Sequence, residues 1–355
     1  MRCAVSIKRQ LVNLIPASLR QLIPKAMKEK FRANGWGRRD VCIDIVGSCN
    51  LGCFSCPSGR NDDPNKGGKM RFETFKDIIS KVALDYPGTT ISLFNWTEPL
   101  LHPEVLRFLE EIPRHGLKSR ISTNLNLLPD AEGLAKVAPD GITISLSGFT
   151  QGVYEIGHGD GNIEVVKANM KLLSEAMQRT GKGLAVTVYY HKYFHNLHEE
   201  KLMKDFSKSL GFGFGSGWAY YMPVEKVMDY VDQKVSKEQK EKIESKFPLN
   251  IADAIDATKP FRKQPCHLAT STLTMDCRGN VQLCCAVYDQ KQFTVANYLE
   301  MPLTYIEEKI KKHEYCTKCM DKGLHMYASW HNFPSLAVEY EKIASKQVAM
   351  MNSNR

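Results

Sequence analysis

The chain has 355 residues, 43% hydrophobic and 25% charged, with 24 Gly and 16 Pro. That apolar content excludes a disordered or collagen-like chain, and no apolar run approaches the roughly 20 residues that cross a bilayer. The formal net charge of +9 resides entirely in residues 1–39, where ten basic side chains oppose Glu29 alone, so the remainder sums to zero.

Residues 1–39 read as a basic amphipathic leader. Apolar positions such as Leu11, Leu14, Leu19 and Leu22 follow a helical spacing that Pro16 and Pro24 interrupt. Such a leader either packs its apolar stripe on the body or makes peripheral contact with an anionic membrane. The apolar stretch 11–15 is too short for a secretory signal and no small-residue cleavage site follows, so a cytoplasmic location is expected.

From Val41 the texture changes. Short β-branched runs predict strands over 41–46, 90–94, 119–122, 141–146 and 184–189. A sixth over 211–216 is weakened by Gly211, Gly213, Gly215 and Gly217. Between them, amphipathic stretches predict helices over 71–84, 104–115, 131–138, 163–179 and 197–210. Strand–helix alternation of this kind implies an α/β fold with a parallel sheet and right-handed crossovers. Residues 225–246 are polar and read as a surface helix or linker. Beyond Lys259 the composition shifts to a small cysteine-rich module with a turn signal at 276–280, and 335–351 reads as a terminal helix.

Eleven cysteines are an odd count in a chain expected to meet a reducing compartment, which favours metal ligation over disulfides. Cys49, Cys53 and Cys56 form a Cys-x3-Cys-x2-Cys loop directly after the first predicted strand. Barrel enzymes place their chemistry on such loops. A closed zinc or iron–sulfur site wants four ligands, whereas three leave one iron of a four-iron cluster open.

This spacing and position resemble the radical S-adenosylmethionine (SAM) superfamily. The resemblance implies a partial (β/α)6 TIM-like barrel over 40–250 and a [4Fe-4S] cluster on Cys49, Cys53 and Cys56 whose open iron chelates SAM. It further implies cleavage of SAM to a 5′-deoxyadenosyl radical, fed by an external electron donor such as flavodoxin or ferredoxin. The segment Asn95-Trp96-Thr97-Glu98-Pro99 resembles the family's glycine-glycine-glutamate element. That assigns Glu98 to the SAM amino group, with Asn95 and Thr97 beside it, although the glycines are absent. Thr123 and Asn124 after the third strand, and Ser145 and Ser147 after the fourth, resemble the ribose- and carboxylate-contacting strand ends. Short polar side chains suit that recognition. Where the family carries an aromatic before the third cysteine, this chain has Ser55, with Phe54 one position away.

Cys266, Cys284, Cys285, Cys316 and Cys319 could by spacing alone hold zinc. After a radical SAM domain, 251–325 resembles the twitch form of the family's auxiliary modules, a shorter relative of SPASM. That resemblance implies a second [4Fe-4S] cluster on Cys266, Cys284, Cys316 and Cys319, with Cys277 as a possible replacement, and leaves 326–355 as C-terminal helix and tail. Side-chain alternation turns Cys285 away from Cys284, which makes it a packed thiol or a hydrogen donor to a substrate radical. Cys42 reads as a small buried hydrophobe.

The expected reaction is hydrogen abstraction from a small polar, sugar- or cyclitol-like substrate, most simply leading to oxidation. Epimerisation with Cys285 as donor and modification of a peptide are the alternatives. No catalytic base is assigned among His191, His195, Tyr189, Tyr190, Asp276, Arg278 and His267. A non-catalytic iron–sulfur or zinc protein that binds RNA is the remaining reading. The neutral body and the leader's few aromatics argue against a nucleic-acid platform.

Overall fold

The computed structural model describes residues 40–58 and 67–353, so the leader lies outside the described residues. Six parallel strands follow one another across the sheet in chain order: β1 (Asp40–Ile43), β2 (Thr90–Ser92), β3 (Lys118–Thr123), β4 (Gly141–Leu146), β5 (Val186–Lys192) and β6 (Gly213–Trp218). The α/β class expected from the sequence is what the chain adopts. Amphipathic helices make the crossovers. Phe72–Asp85, for example, buries Phe72, Phe75, Ile78, Ile79 and Val82 at helical spacing. Burying one such phenylalanine fully is worth roughly 1.5–3 kcal/mol.

Helix ends are set locally. The Asn162 side chain caps Ile163–Thr180 by accepting from the amides of Glu164 and Val165, and Gly181, at φ +63°, terminates it. The glycines that weaken β6 in the sequence have a steric cause. A β-carbon on Gly217 would stand 2.2 Å from the Tyr189 hydroxyl, and one on Gly215 would touch the same ring. Tyr189 thus lies across β6, and at Gly217 a side chain would displace its hydroxyl.

Three differences from the sequence reading stand out. The first strand ends at Ile43 rather than Val46: the Asp44 amide makes the last bond to β7, at the Met275 carbonyl, and its carboxylate engages the segment after β2 instead. A helix the sequence did not signal, Gln151–Gly157, follows β4. Residues 225–246 are neither one surface helix nor a linker. They form Val224–Val231, which buries Val224, Val227, Met228 and Tyr230, and the exposed Lys237–Glu244.

The C-terminal part continues the same sheet. β7 (Thr272–Met275) pairs in parallel with the free side of β1, Asp40 opposite Thr272. β8 (Asn280–Gln282) and β9 (Thr294–Asn297) then extend the sheet antiparallel. The β7–β8 turn is held by Asp276, whose carboxylate accepts from the amides of Arg278 (2.8 Å) and Asn280 (2.9 Å), with Gly279 at φ +79°. One core runs from Val41 through Leu273, Val281 and Phe293 to Ile310, and a second gathers the helices Val224–Val231, Ile251–Ala257, Leu324–Ala328 and Pro334–Ser353.

Candidate functional site

Side chains of β1, β3, β4 and β5 and of the segment after β6 line one cavity of about 620 Å³. Neighbouring strands lie about 4.8 Å apart, so a flat sheet would spread these residues over roughly 20 Å. The sheet therefore curls around the cavity. Cys49, Cys53 and Cys56 all line it, on the loop that leaves β1.

That loop is fixed by close backbone packing. The Gly52 amide donates to the Gly159 carbonyl at 2.8 Å, and a β-carbon on Gly159 would stand 2.6 Å from the Gly52 oxygen. Burial lifts the Cys49 thiol to about 11. Burial, with Cys56 and Cys49 close by, holds Cys53 well above the usual thiol range. Neutral thiols are favoured here until a cation compensates the thiolates. No disulfide joins the described cysteines.

Asp44 organises the opposite wall. Its carboxylate accepts from the amides of Asn95 (2.8 Å), Trp96 (3.2 Å) and Thr97 (3.3 Å) and from the Thr97 hydroxyl (2.7 Å). Thr97 lines the cavity, but its hydroxyl proton is committed to Asp44. Asn95, turned so that both ends of its amide find partners, donates to the Cys285 carbonyl at 3.2 Å.

Glu98 is buried and ties two strand ends together, accepting from the amides of Leu100 (3.1 Å) and Asn124 (2.8 Å). Burial raises its carboxyl to about 7 despite these bonds. Thr123 and Asn124 also line the cavity. The Asn124 amide nitrogen lies 3.7 Å from the Cys49 sulfur and donates to Asn50 at 2.9 Å.

Ser145 lines the cavity and meets His191 Nε2 at 3.0 Å. Ser147 is placed differently from the sequence reading. It is fully buried behind the wall, its hydroxyl 2.8 Å from His158 Nδ1, and His158 is the residue that reaches the cavity. Buried His158 and half-buried His191 and His195 form a trio kept neutral mainly by desolvation, His158 near 3 and the other two near 4. His195 Nε2 is buried without a hydrogen-bond partner. It stacks on Tyr193, whose hydroxyl meets Ser55 at 3.1 Å. Phe54 faces away from the cavity, packed edge-on against Tyr193 and Phe247.

Among the other sequence-named base candidates, Tyr190 is buried and donates to the Asn196 carbonyl, and Asp276 is consumed by its turn. Asp44, His158 and Tyr193 were not singled out as site residues from sequence. Asp44 and Tyr193 act through partners about 50 residues or more distant, and His158 through Ser147 across the β4–helix connection, and no local spacing signals that. The glycines flanking His158 were the one available hint.

Cys266, Cys284, Cys316 and Cys319 lie near enough to one another to influence each other's thiols. Burial and proximity to Cys284 raise Cys266 to about 11. Burial with Cys284 and Cys266 nearby raises Cys316 to about 12, and Cys319 responds to all three. Cys277 stands apart, its sulfur 3.8 Å from the Gly67 carbonyl and its charge neighbours Asp276, Arg278 and Asp44. The adjacent cysteines divide. Cys284 joins Cys266, Cys316 and Cys319, while Cys285 lines the large cavity with Tyr220 beside it. Among the described residues no three His, Cys, Asp or Glu side chains converge as ligands of one metal ion would.

This arrangement, a curled parallel sheet with a three-thiol loop opening onto its interior, has counterparts among known proteins. Residues 43–206 match the model of the radical SAM superfamily, and the chain carries a radical SAM domain. Among curated proteins it is 29% identical over 133 residues to a probable GTP 3′,8-cyclase of Aeropyrum pernix, covering 35% of this chain and 36% of that protein. It is 29% identical over 121 residues to the tungsten-containing aldehyde ferredoxin oxidoreductase cofactor-modifying protein of Pyrococcus furiosus, covering 33% of each. The matches thus span about a third of these relatives' length. Among solved structures, native anSMEcpe with bound AdoMet is similar over 89% of this chain and 99% of that one, with TM-score 0.53 and 14% identity. Streptococcus suis SuiB bound to its precursor peptide SuiA is similar over 81% and 68%, with TM-score 0.53 and 15% identity. At these identities the likeness is one of fold.

Proposed function

We propose that the chain is a radical SAM enzyme acting on a small polar, sugar- or cyclitol-like substrate. The observation that carries this reading is the division of the thiols: three open to the cavity and four gathered apart from it. The residues fit the groups the family implies. Three thiols on one loop suit a cluster with one iron left open, and four neighbouring thiols suit a closed one. When bound, a reduced [4Fe-4S] cluster at Cys49, Cys53 and Cys56 supplies the electron that cleaves SAM to methionine and a 5′-deoxyadenosyl radical.

The chain's own residues do the rest. The Glu98 carboxylate and the 95–97 backbone that Asp44 holds in place bind the SAM amino group. Thr123, Asn124 and Ser145 offer short polar contacts to ribose and carboxylate, and Tyr193 supplies the aromatic face that Ser55 lacks. His191, oriented by Ser145, takes the substrate's hydroxyl proton after hydrogen abstraction; net oxidation of an alcohol then leaves one electron, which an oxidised cluster held by Cys266, Cys284, Cys316 and Cys319 would accept. The module 251–325 is read as twitch-like, with Cys266, Cys284, Cys316 and Cys319 holding the auxiliary cluster.

A second reading, epimerisation, is favoured by one observation: Cys285 lines the cavity, where a thiol donates hydrogen to a substrate radical. The likeness to SuiB keeps a peptide as an alternative substrate.

The test is anaerobic reconstitution, iron counting, and assay of 5′-deoxyadenosine after SAM and reductant are added. The parent is expected to hold about eight irons and a Cys49/Cys53/Cys56→Ala variant about four, with nucleoside from the parent only. Cys284→Ala should lose about four irons while Cys285→Ala keeps all of them. A parent holding about four irons would remove the auxiliary cluster and restore zinc to the second group.

A further inference from the structure

The three-thiol loop has a second side. Cys53 lines the inner cavity and also an outer groove of about 630 Å³ between that loop and the helix Lys237–Glu244. The groove is basic. Lys226, Lys234, Lys242 and Lys246 line it against one acid, Asp229. Lys234 is the lysine that Asp229 and Asp232 engage, at 3.9 and 3.5 Å. Among the described residues, Lys226, Lys242 and Lys246 make no ion pair. Lys246 lies 3.9 Å over the ring of Phe54, the residue next to Cys53. Beyond the leader the chain is neutral overall, so this concentration of positive charge is local rather than a reflection of net charge.

Reductive SAM cleavage consumes one electron. With SAM and substrate filling the inner cavity, that electron has to enter from elsewhere, and the groove gives access to the loop through Cys53 without crossing the cavity. We propose that the groove formed by Lys226, Lys242 and Lys246 is the docking surface for an acidic one-electron donor protein. The inference rests on the radical SAM reading above. In the step it serves, the docked donor loses one electron, and the carbon–sulfur bond of SAM breaks to methionine and the 5′-deoxyadenosyl radical. Lysines at the rim of such a contact raise the encounter rate through long-range attraction and make binding salt-dependent.

The experiment measures binding of an acidic flavodoxin to the reconstituted protein, at low and at moderate salt, alongside optical bleaching of the clusters. The variants are Lys226→Glu/Lys242→Glu/Lys246→Glu and a control with equal charge change on other helices, Lys171→Glu/Lys204→Glu/Lys208→Glu. The groove variant is expected to bind flavodoxin at least about tenfold more weakly at low salt and to lose the salt dependence, while the control keeps both. Methyl viologen radical, a small cation that needs no docking surface, should bleach all three proteins alike. Equal loss in the control, or unchanged binding by the groove variant, would overturn the proposal. Absence of 5′-deoxyadenosine even with viologen would instead fault the radical SAM reading itself.

Discussion

The hydroxyls of Ser55 and Tyr193 meet at 3.1 Å, joining the thiol loop to the chain that leaves β5. The serine stands where the family's aromatic is absent, and the ring arrives from 138 residues downstream to line the cavity beside it. Tyr193→Phe should cost about 0.5–1.5 kcal/mol in chemical denaturation and leave the iron content intact. Tyr193→Ala also removes a buried ring and should cost about 3–5 kcal/mol. It should loosen the loop as well, so that reconstituted iron falls. Equal stability of the two variants would show that the ring contributes nothing beyond its hydroxyl.

Asp44 is the single acceptor for three successive amides and one hydroxyl. Asp44→Ala leaves those donors without it, at about 1–3 kcal/mol for each one that stays buried and unpaired, so a loss of at least about 3 kcal/mol is expected. Asp44→Asn keeps one acceptor oxygen and should lose less. Both should retain iron yet bind SAM at least about tenfold more weakly, measured by calorimetry on the reconstituted protein. Unchanged SAM affinity would separate the 95–97 segment from the cofactor.

The histidine trio gives a pH dependence with a definite sign. Burial lowers His158 to about 3, whereas an unfolded histidine protonates near 6.5. Between those values the unfolded state binds more protons, so stability falls as pH drops from about 6.5 toward 3 and is fully retained above that window. At pH 5 His158 alone should cost about 2 kcal/mol, and His191 and His195 act in the same direction. His158→Gln should flatten the decline in denaturation midpoint between pH 7 and 5. An unaltered slope would mean that His158 is already charged in the native state.

What the sequence made legible was local. The Cys-x3-Cys-x2-Cys loop after a strand, the strand–helix alternation and the turn signal at 276–280 each rest on residues close together in the chain. The expected strands and helices of the sheet lie where the chain forms them, within a few residues at their ends. Ser147 shows where the reading stopped. Its residue type suited a ligand, but whether it faced the cavity or His158 depended on how the Gln151–Gly157 helix folds back. Asp44, bonded to the 95–97 amides, is likewise invisible until the second strand is in place.

The pairing of β7 on β1 leaves the chain no seam at which it can be cut. A fragment ending before Thr272 would keep its barrel strands yet bare the whole hydrogen-bonding edge of β1, a strand with one flank of donors and acceptors open to any passing chain. A fragment beginning there would lack the strand on which its own sheet is founded. Each portion serves as the other's edge protection, so the cysteine-rich C-terminal part is a structural requirement of the parallel sheet whatever it binds.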